Sequence, residues 1–163
     1  MFNEINGLPT HALALHAAVV LVPLGAVLGV LFAVPRTRSW SRVPLLLVSV
    51  GAVVAVYVAR ESGERLQVAL NLQGPTQDLI EQHSERADVL FIATIGYAVL
   101  AVAAFVLTRH SARSNLNTTV VSVLLVIAAA GVAFQTYRVG DVGARAVWNP
   151  TGEVDYGSTA DSD

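Results

Sequence analysis

The chain has 163 residues, of which 54% are hydrophobic and only 13% are charged. Soluble domains carry about 25% charged residues, so this composition indicates a membrane protein. The chain has no cysteine, which excludes disulfides, thiolate metal sites and a cysteine nucleophile. With a net charge of −2, it gives no reason to expect a nucleic-acid partner.

Four apolar runs follow one another along the chain, at about 12–34, 43–59, 89–108 and 118–137. A helix needs about 17–25 such residues to cross a bilayer. We therefore predict an all-α, integral membrane four-helix bundle, with helices at about 11–34, 43–60, 88–108 and 118–138. Residues 1–10 form a leader, residues 60–88 connect helices 2 and 3, and the acidic tail 149–163 is predicted to be disordered.

The connection 60–88 is too long for a tight turn. We expect helix 2 to continue beyond the apolar run, Gly74-Pro75 to form a turn, and a short helix to lead into helix 3. Gly25 and Gly29 form a GxxxG pattern in helix 1, which favours close helix packing within one bundle.

The charges divide sharply between the two ends of the predicted bundle. Arg36, Arg38 and Arg42 lie between helices 1 and 2, and Arg109 and Arg113 lie between helices 3 and 4, with no acid in either connection. Arginines in short loops mark the cytoplasmic side of a membrane protein. The sequence thus predicts a multi-pass protein of the cytoplasmic membrane, with both termini and the 60–88 connection outside the cell.

Polar and ionisable residues collect at the predicted outer end. His11 and His16 open helix 1, and His83 precedes helix 3. The candidate ligands for a metal are His11, His16, His83, Glu61 and Asp141. The candidate residues for a haem b site are His16 and His83 as ligands, with Arg60 and Arg138 as partners of the propionates. Imidazole with a carboxylate suits zinc or copper, and histidines from facing helices suit haem iron.

The spacing of His11 and His16 limits this site. Five residues correspond to about 140° around a helix and roughly 7.5 Å along it, so the two rings cannot both point at one ion. His16 lies deeper in the apolar run, where an unused imidazole costs more, and is therefore the expected ligand of the two. An alternative is that all of these residues are structural or interfacial. Proton or substrate translocation is disfavoured because the helices carry no ionisable group at mid-depth.

Four sequence features resemble a known family. HALALHAA at 11–18 has the two histidines of its opening motif at the same spacing, although Ala12 and Ala17-Ala18 replace the motif's prolines and phenylalanine. Gly63 in ARESGE, His83 in EQHSERAD and the glycines of YRVGDVGARAVW match its further positions. The chain thus resembles the small four-span bacterial membrane proteins known as domain of unknown function 2231. That family has no settled activity, and the fusion of some members to Rieske-type iron–sulfur domains implies redox association.

No hydrolase, transferase or nucleotide-binding motif is present, so an enzyme is not expected. We are left with two hypotheses. The first is a haem- or metal-binding protein of a redox or respiratory membrane system. The second is a non-catalytic accessory subunit of a larger membrane complex, or a homo-oligomer, in which the histidines are structural. In both cases the lipid bilayer is the surrounding partner.

Overall fold

A computed structural model describes residues 4–5, 8–71, 73–109 and 115–154 of the chain. It contains four helices, α1 (Thr10–Ala33), α2 (Arg38–Leu70), α3 (Pro75–Thr108) and α4 (Leu116–Trp148). Before α1, Glu4–Ile5 pairs antiparallel with Leu8–Pro9. All four helices are long and apolar enough to cross a membrane. The predicted all-α four-helix membrane bundle is confirmed.

Three of the helices continue well beyond their apolar runs. α2, α3 and α4 have 33, 34 and 33 residues, against 24 for α1. Most of the predicted connection 60–88 is therefore helical: α2 continues to Leu70, and the expected short helix is the beginning of α3. The turn lies at Gly74-Pro75, where Gly74 has a φ of 69° and proline opens α3.

The helices form a ring in which each packs against two neighbours. α1 contacts α2 and α4, and α3 contacts α2 and α4, so α1 and α3 lie across the bundle from each other. Small residues and a few large side chains such as Phe32, Leu45 and Leu125 fill the centre. Many valines, leucines and isoleucines remain exposed on the outside, as lipid-facing helices require.

Tyr97 of α3 crosses the bundle to α1. Its hydroxyl donates to the backbone carbonyl of Gly25 at 2.6 Å, and its ring packs against Gly25 and Gly29. A Cβ atom at Gly29 would overlap the Tyr97 hydroxyl. The GxxxG pattern of helix 1 therefore serves packing within the bundle, as predicted.

The predicted side of the membrane for each terminus stays a prediction. The disorder expected for the tail falls largely on residues 155–163, outside the described part of the chain, and His110 and Arg113 also lie outside it.

Candidate functional site: two histidines packed on glycines

His11 lies at the start of α1 and is held by α2. Its Nδ1 donates to the backbone carbonyl of Ala59 at 2.8 Å. The ring lies flush against the α2 backbone at Gly63, where a Cβ would come within 3.0 Å of Nδ1 and Cε1. Gly63 therefore makes room for the imidazole.

His83 repeats this arrangement in the second half of the chain. It belongs to α3, and its Nδ1 donates to the carbonyl of Val139 in α4 at 3.0 Å. A Cβ at Gly143 would come within 3.0 Å of Nδ1 and Cε1 of the ring. In both halves, a histidine bonds to a carbonyl of the next helix and packs on the glycine four residues further along that helix.

The two imidazoles line the same cavity. They come from α1 and α3, which face each other across the bundle. The cavity measures about 120 Å³ and is partly open to solvent. Most of its wall is apolar, including Leu15, Val56 and Leu90.

The tautomer of each ring follows from its hydrogen bond. A carbonyl oxygen can only accept, so Nδ1 must carry the proton in both histidines. In the neutral imidazole, Nε2 is then left with a free lone pair, the form in which histidine binds metals. The backbone carbonyl fixes both the tautomer and the orientation of the ring.

Arg60 adds a cation to the wall of the cavity. It forms ion pairs with Asp88 of α3 and, at 3.0 Å, with Glu64 of its own helix. Glu64 also lines the cavity. The cavity is thus apolar over most of its surface, with a charged group at one edge.

The other predicted site residues lie outside the cavity. His16 is exposed, and its Nδ1 bonds to the carbonyl of Ala12 in its own helix. The deeper position of His16 made it the expected ligand, but rotation along the helix turns it outward and His11 inward. This is the divergence that the five-residue spacing requires.

The three remaining residues are engaged elsewhere. Glu61 pairs with Arg65 at 2.9 Å and Asp141 with Arg145 at 3.2 Å. Arg138 is exposed, its guanidinium 5.9 Å from the centre of the Phe134 ring. Across the part of the chain that the structure describes, no three His, Cys, Asp or Glu side chains come together as a metal-binding group.

The sequence was compared with known protein families. The model of domain of unknown function 2231, described as a predicted membrane protein, matches residues 7–155. The chain belongs to this family. No curated protein and no solved structure matches it. Membership in the domain of unknown function 2231 family confirms the resemblance and supports an integral membrane protein, but it assigns no activity.

The resemblance marked Gly63 and the glycines of YRVGDVGARAVW, but sequence reasoning did not assign Gly63, Gly143 or the two backbone carbonyls to the site. A signal for Gly143 was available, because an isolated glycine within a helix costs about 1 kcal/mol relative to alanine and therefore suggests a packing role. Carbonyl partners leave no trace in the sequence, since every residue has a carbonyl.

Proposed function

We propose that this protein binds a b-type haem through His11 and His83 and takes part in electron transfer in the membrane. The observation that carries the proposal is the repeated contact in which an imidazole donates Nδ1–H to a carbonyl and packs on a glycine. Both rings are thereby fixed with Nε2 free.

The number of donors favours haem over zinc or copper. Structural zinc sites use four protein ligands and catalytic zinc sites use three, and no such group is present among the described residues. Haem iron receives four nitrogens from its own porphyrin and needs at most two from the protein. Two histidines on opposite helices meet that need.

The polarity of the cavity also supports the proposal, because its wall is mostly apolar and a porphyrin is a largely apolar ligand that such a wall suits. Arg60 in the cavity wall would pair with a carboxylate on the rim of that ligand by exchanging one of its present partners, Asp88 or Glu64. Arg138 is exposed outside the cavity, so the proposal assigns this role to Arg60 alone.

The roles of the residues follow from these contacts. His11 and His83 would hold the haem iron through Nε2, and the carbonyls of Ala59 and Val139 would keep both rings in the ligating tautomer. Gly63 and Gly143 would let each ring lie close to the neighbouring helix. A bound haem would supply reversible one-electron chemistry, with a potential set by its protein ligands and surroundings.

Optical spectroscopy of detergent-purified protein from cells supplied with a haem precursor tests the proposal directly. We expect a Soret band and sharp reduced-state bands typical of two histidine ligands. His11→Ala and His83→Ala should each abolish these bands or convert them to a five-coordinate spectrum, while His16→Ala, the matched control, should leave them unchanged.

Two spectroscopic results would contradict the proposal. A colourless wild-type protein would reject haem binding and favour the accessory-subunit hypothesis. A spectrum that depends on His16 but not on His11 would reject the proposed ligand pair. Metal analysis of the same samples would detect zinc or copper bound in its place.

We further propose that this end of the bundle faces outward from a bacterial cytoplasmic membrane. The support is the distribution of arginines in the short connections. Because the chain has no cysteine, single cysteines can report orientation. A cysteine in place of Gln73 should react with an impermeant thiol reagent in intact cells, and one in place of Ser39 should not; the reverse pattern would overturn the orientation.

A further inference from the structure

Arg38 is a buried cation at the end of the bundle opposite the histidines. It is the first residue of α2 and only 2% exposed. Its Nε and Nη2 donate to the carbonyls of Phe32 and Ala33, at 3.2 and 3.3 Å, near the end of α1. Its Nη1 is buried without a hydrogen-bond partner.

The protein supplies no carboxylate to balance this charge. The sequence has no Asp or Glu between Glu4 and Glu61, and none between Asp88 and Asp141. The whole Arg38 end of the bundle is therefore free of acids. A buried charge without a counter-ion is expensive, and an unpaired Nη1 adds the cost of an unmade hydrogen bond.

A pocket beside Arg38 offers room for a counter-ion. It measures about 400 Å³ and lies between the α1–α2 connection and the first turns of α4. Arg38, Thr119 and Ser122 form part of its wall, and the rest is largely apolar, including Val123, Val126 and Ile127. Polar and apolar surfaces thus meet in one pocket.

The charge beside this pocket is the Arg38 guanidinium. α2 and α4 begin at this end of the bundle while α1 and α3 end there, so the partial charges of the helix termini oppose one another. Arg42 lies one turn beyond Arg38 and donates to the carbonyl of Thr108. Basic pockets between membrane helices on the cytoplasmic side bind the head groups of anionic lipids.

We propose that Arg38 binds a phosphate group in this pocket, supplied by the head group of an anionic phospholipid. The guanidinium would turn so that Nη1, which is buried in this structure, donates to a phosphate oxygen, and the negative charge would balance the guanidinium. The apolar wall formed by Val123, Val126 and Ile127 would accept the beginning of an acyl chain. This site is independent of the proposed haem site.

The test is ligand-dependent thermal stability of the full chain, delipidated in a maltoside detergent. Phosphatidylglycerol, phosphatidylcholine and inorganic phosphate are titrated separately. We expect phosphatidylglycerol to raise the unfolding midpoint of wild-type protein more than phosphatidylcholine does. Arg38→Gln should lose this shift, and Arg36→Gln, which changes an exposed arginine two residues away, should keep it.

A second variant tests the proposal even if Arg38→Gln does not fold. Val123→Trp fills the pocket from the exposed side and keeps Arg38, so it should also lose the lipid-dependent shift. An equal response to inorganic phosphate would identify free phosphate as the source. Shifts of the same size in wild-type, Arg38→Gln and Val123→Trp proteins would overturn the proposal.

Discussion

The two histidine contacts are alike in chemistry but differ in setting. His11 is the second residue of α1, whereas His83 is the ninth residue of α3. The start of a helix lacks part of its backbone hydrogen bonding and frays readily, while an interior position is held by turns on both sides. The same imidazole–glycine contact therefore involves a helix end that can move in the α1–α2 half and a helix interior that resists movement in the α3–α4 half.

Placing leucine at the contact glycines should have the largest effect. A leucine side chain at Gly143 or Gly63 would occupy the space of the imidazole ring. We expect Gly143→Leu to lower the free energy of unfolding by about 2–3 kcal/mol and Gly63→Leu by about 1–2 kcal/mol. Unfolding by titration with a denaturing detergent measures both values.

Gly140 provides the matched control for these variants. It lies in α4 near Gly143, and a Cβ there meets no atom within 4 Å. Gly140→Leu should therefore cause no loss of stability, and the gain in helix propensity can raise the free energy of unfolding by up to about 1 kcal/mol. An equal loss in all three variants would show that the histidine contacts are not the cause.

Alanine substitutions at Gly63 and Gly143 should reveal a smaller difference in stability between the two halves. Each new Cβ would lie 3.0 Å from ring atoms, so the ring must move by a few tenths of an ångström. The helix start around His11 can yield, and the gain in helix propensity of up to about 1 kcal/mol should make Gly63→Ala nearly neutral. Gly143→Ala should cost about 1 kcal/mol. A larger loss of stability for Gly63→Ala than for Gly143→Ala would contradict the proposed difference in helix rigidity around the two histidines.

Gln135 should contribute a smaller stabilisation to the α3–α4 half. Its buried side chain donates through Nε2 to the carbonyl of Arg86 at 3.0 Å. Hydrogen bonds between membrane helices contribute about 0.6 kcal/mol on average, so we expect Gln135→Leu to lower stability by about that amount. Thr136→Val removes a hydrogen bond within α4 itself and serves as the control. A larger loss in the control would contradict a role for Gln135 between helices.

The ion pair between Arg60 and Asp88 joins the two halves and should have the smallest effect. Asp88 is 47% exposed, and exposed pairs contribute about 0.2–1 kcal/mol. A double-mutant cycle with Arg60→Gln and Asp88→Asn should give a coupling energy in that range that falls as salt is added. Coupling that does not respond to salt would argue for a contact other than an exposed ion pair.

The sequence was sufficient to predict the spans, because a bilayer demands about 20 apolar residues from each crossing helix. It was less informative about the polar ends of the helices. The segment around Arg60 and Glu64 is helical outside its apolar run, where charged helices and loops have similar compositions. The i, i+4 pairing of Arg60 with Glu64 is compatible with a helix there but does not fix how far the helix continues.

The choice between His11 and His16 depended on helix rotation, which depth in the apolar run does not determine. That rotation is set by the packing of α1 on its neighbours, including Tyr97 on Gly25 and Gly29. The resemblance drew attention to Gly63 and His83 as separate positions. Only the fold shows that these residues act in pairs, because it packs His11 on Gly63 and His83 on Gly143.

The anchored imidazoles also restrict how the helices can move. A slide of one residue along a helix axis is about 1.5 Å, enough to break the 2.8 Å bond from His11 to Ala59 or the 3.0 Å bond from His83 to Val139. Piston-like motion within either helix pair is thereby opposed. Between the α1–α2 and α3–α4 hairpins, the Tyr97–Gly25 hydrogen bond and the Arg60–Asp88 ion pair oppose sliding in the same way, so the spacing of the two imidazoles across the bundle is held from both sides.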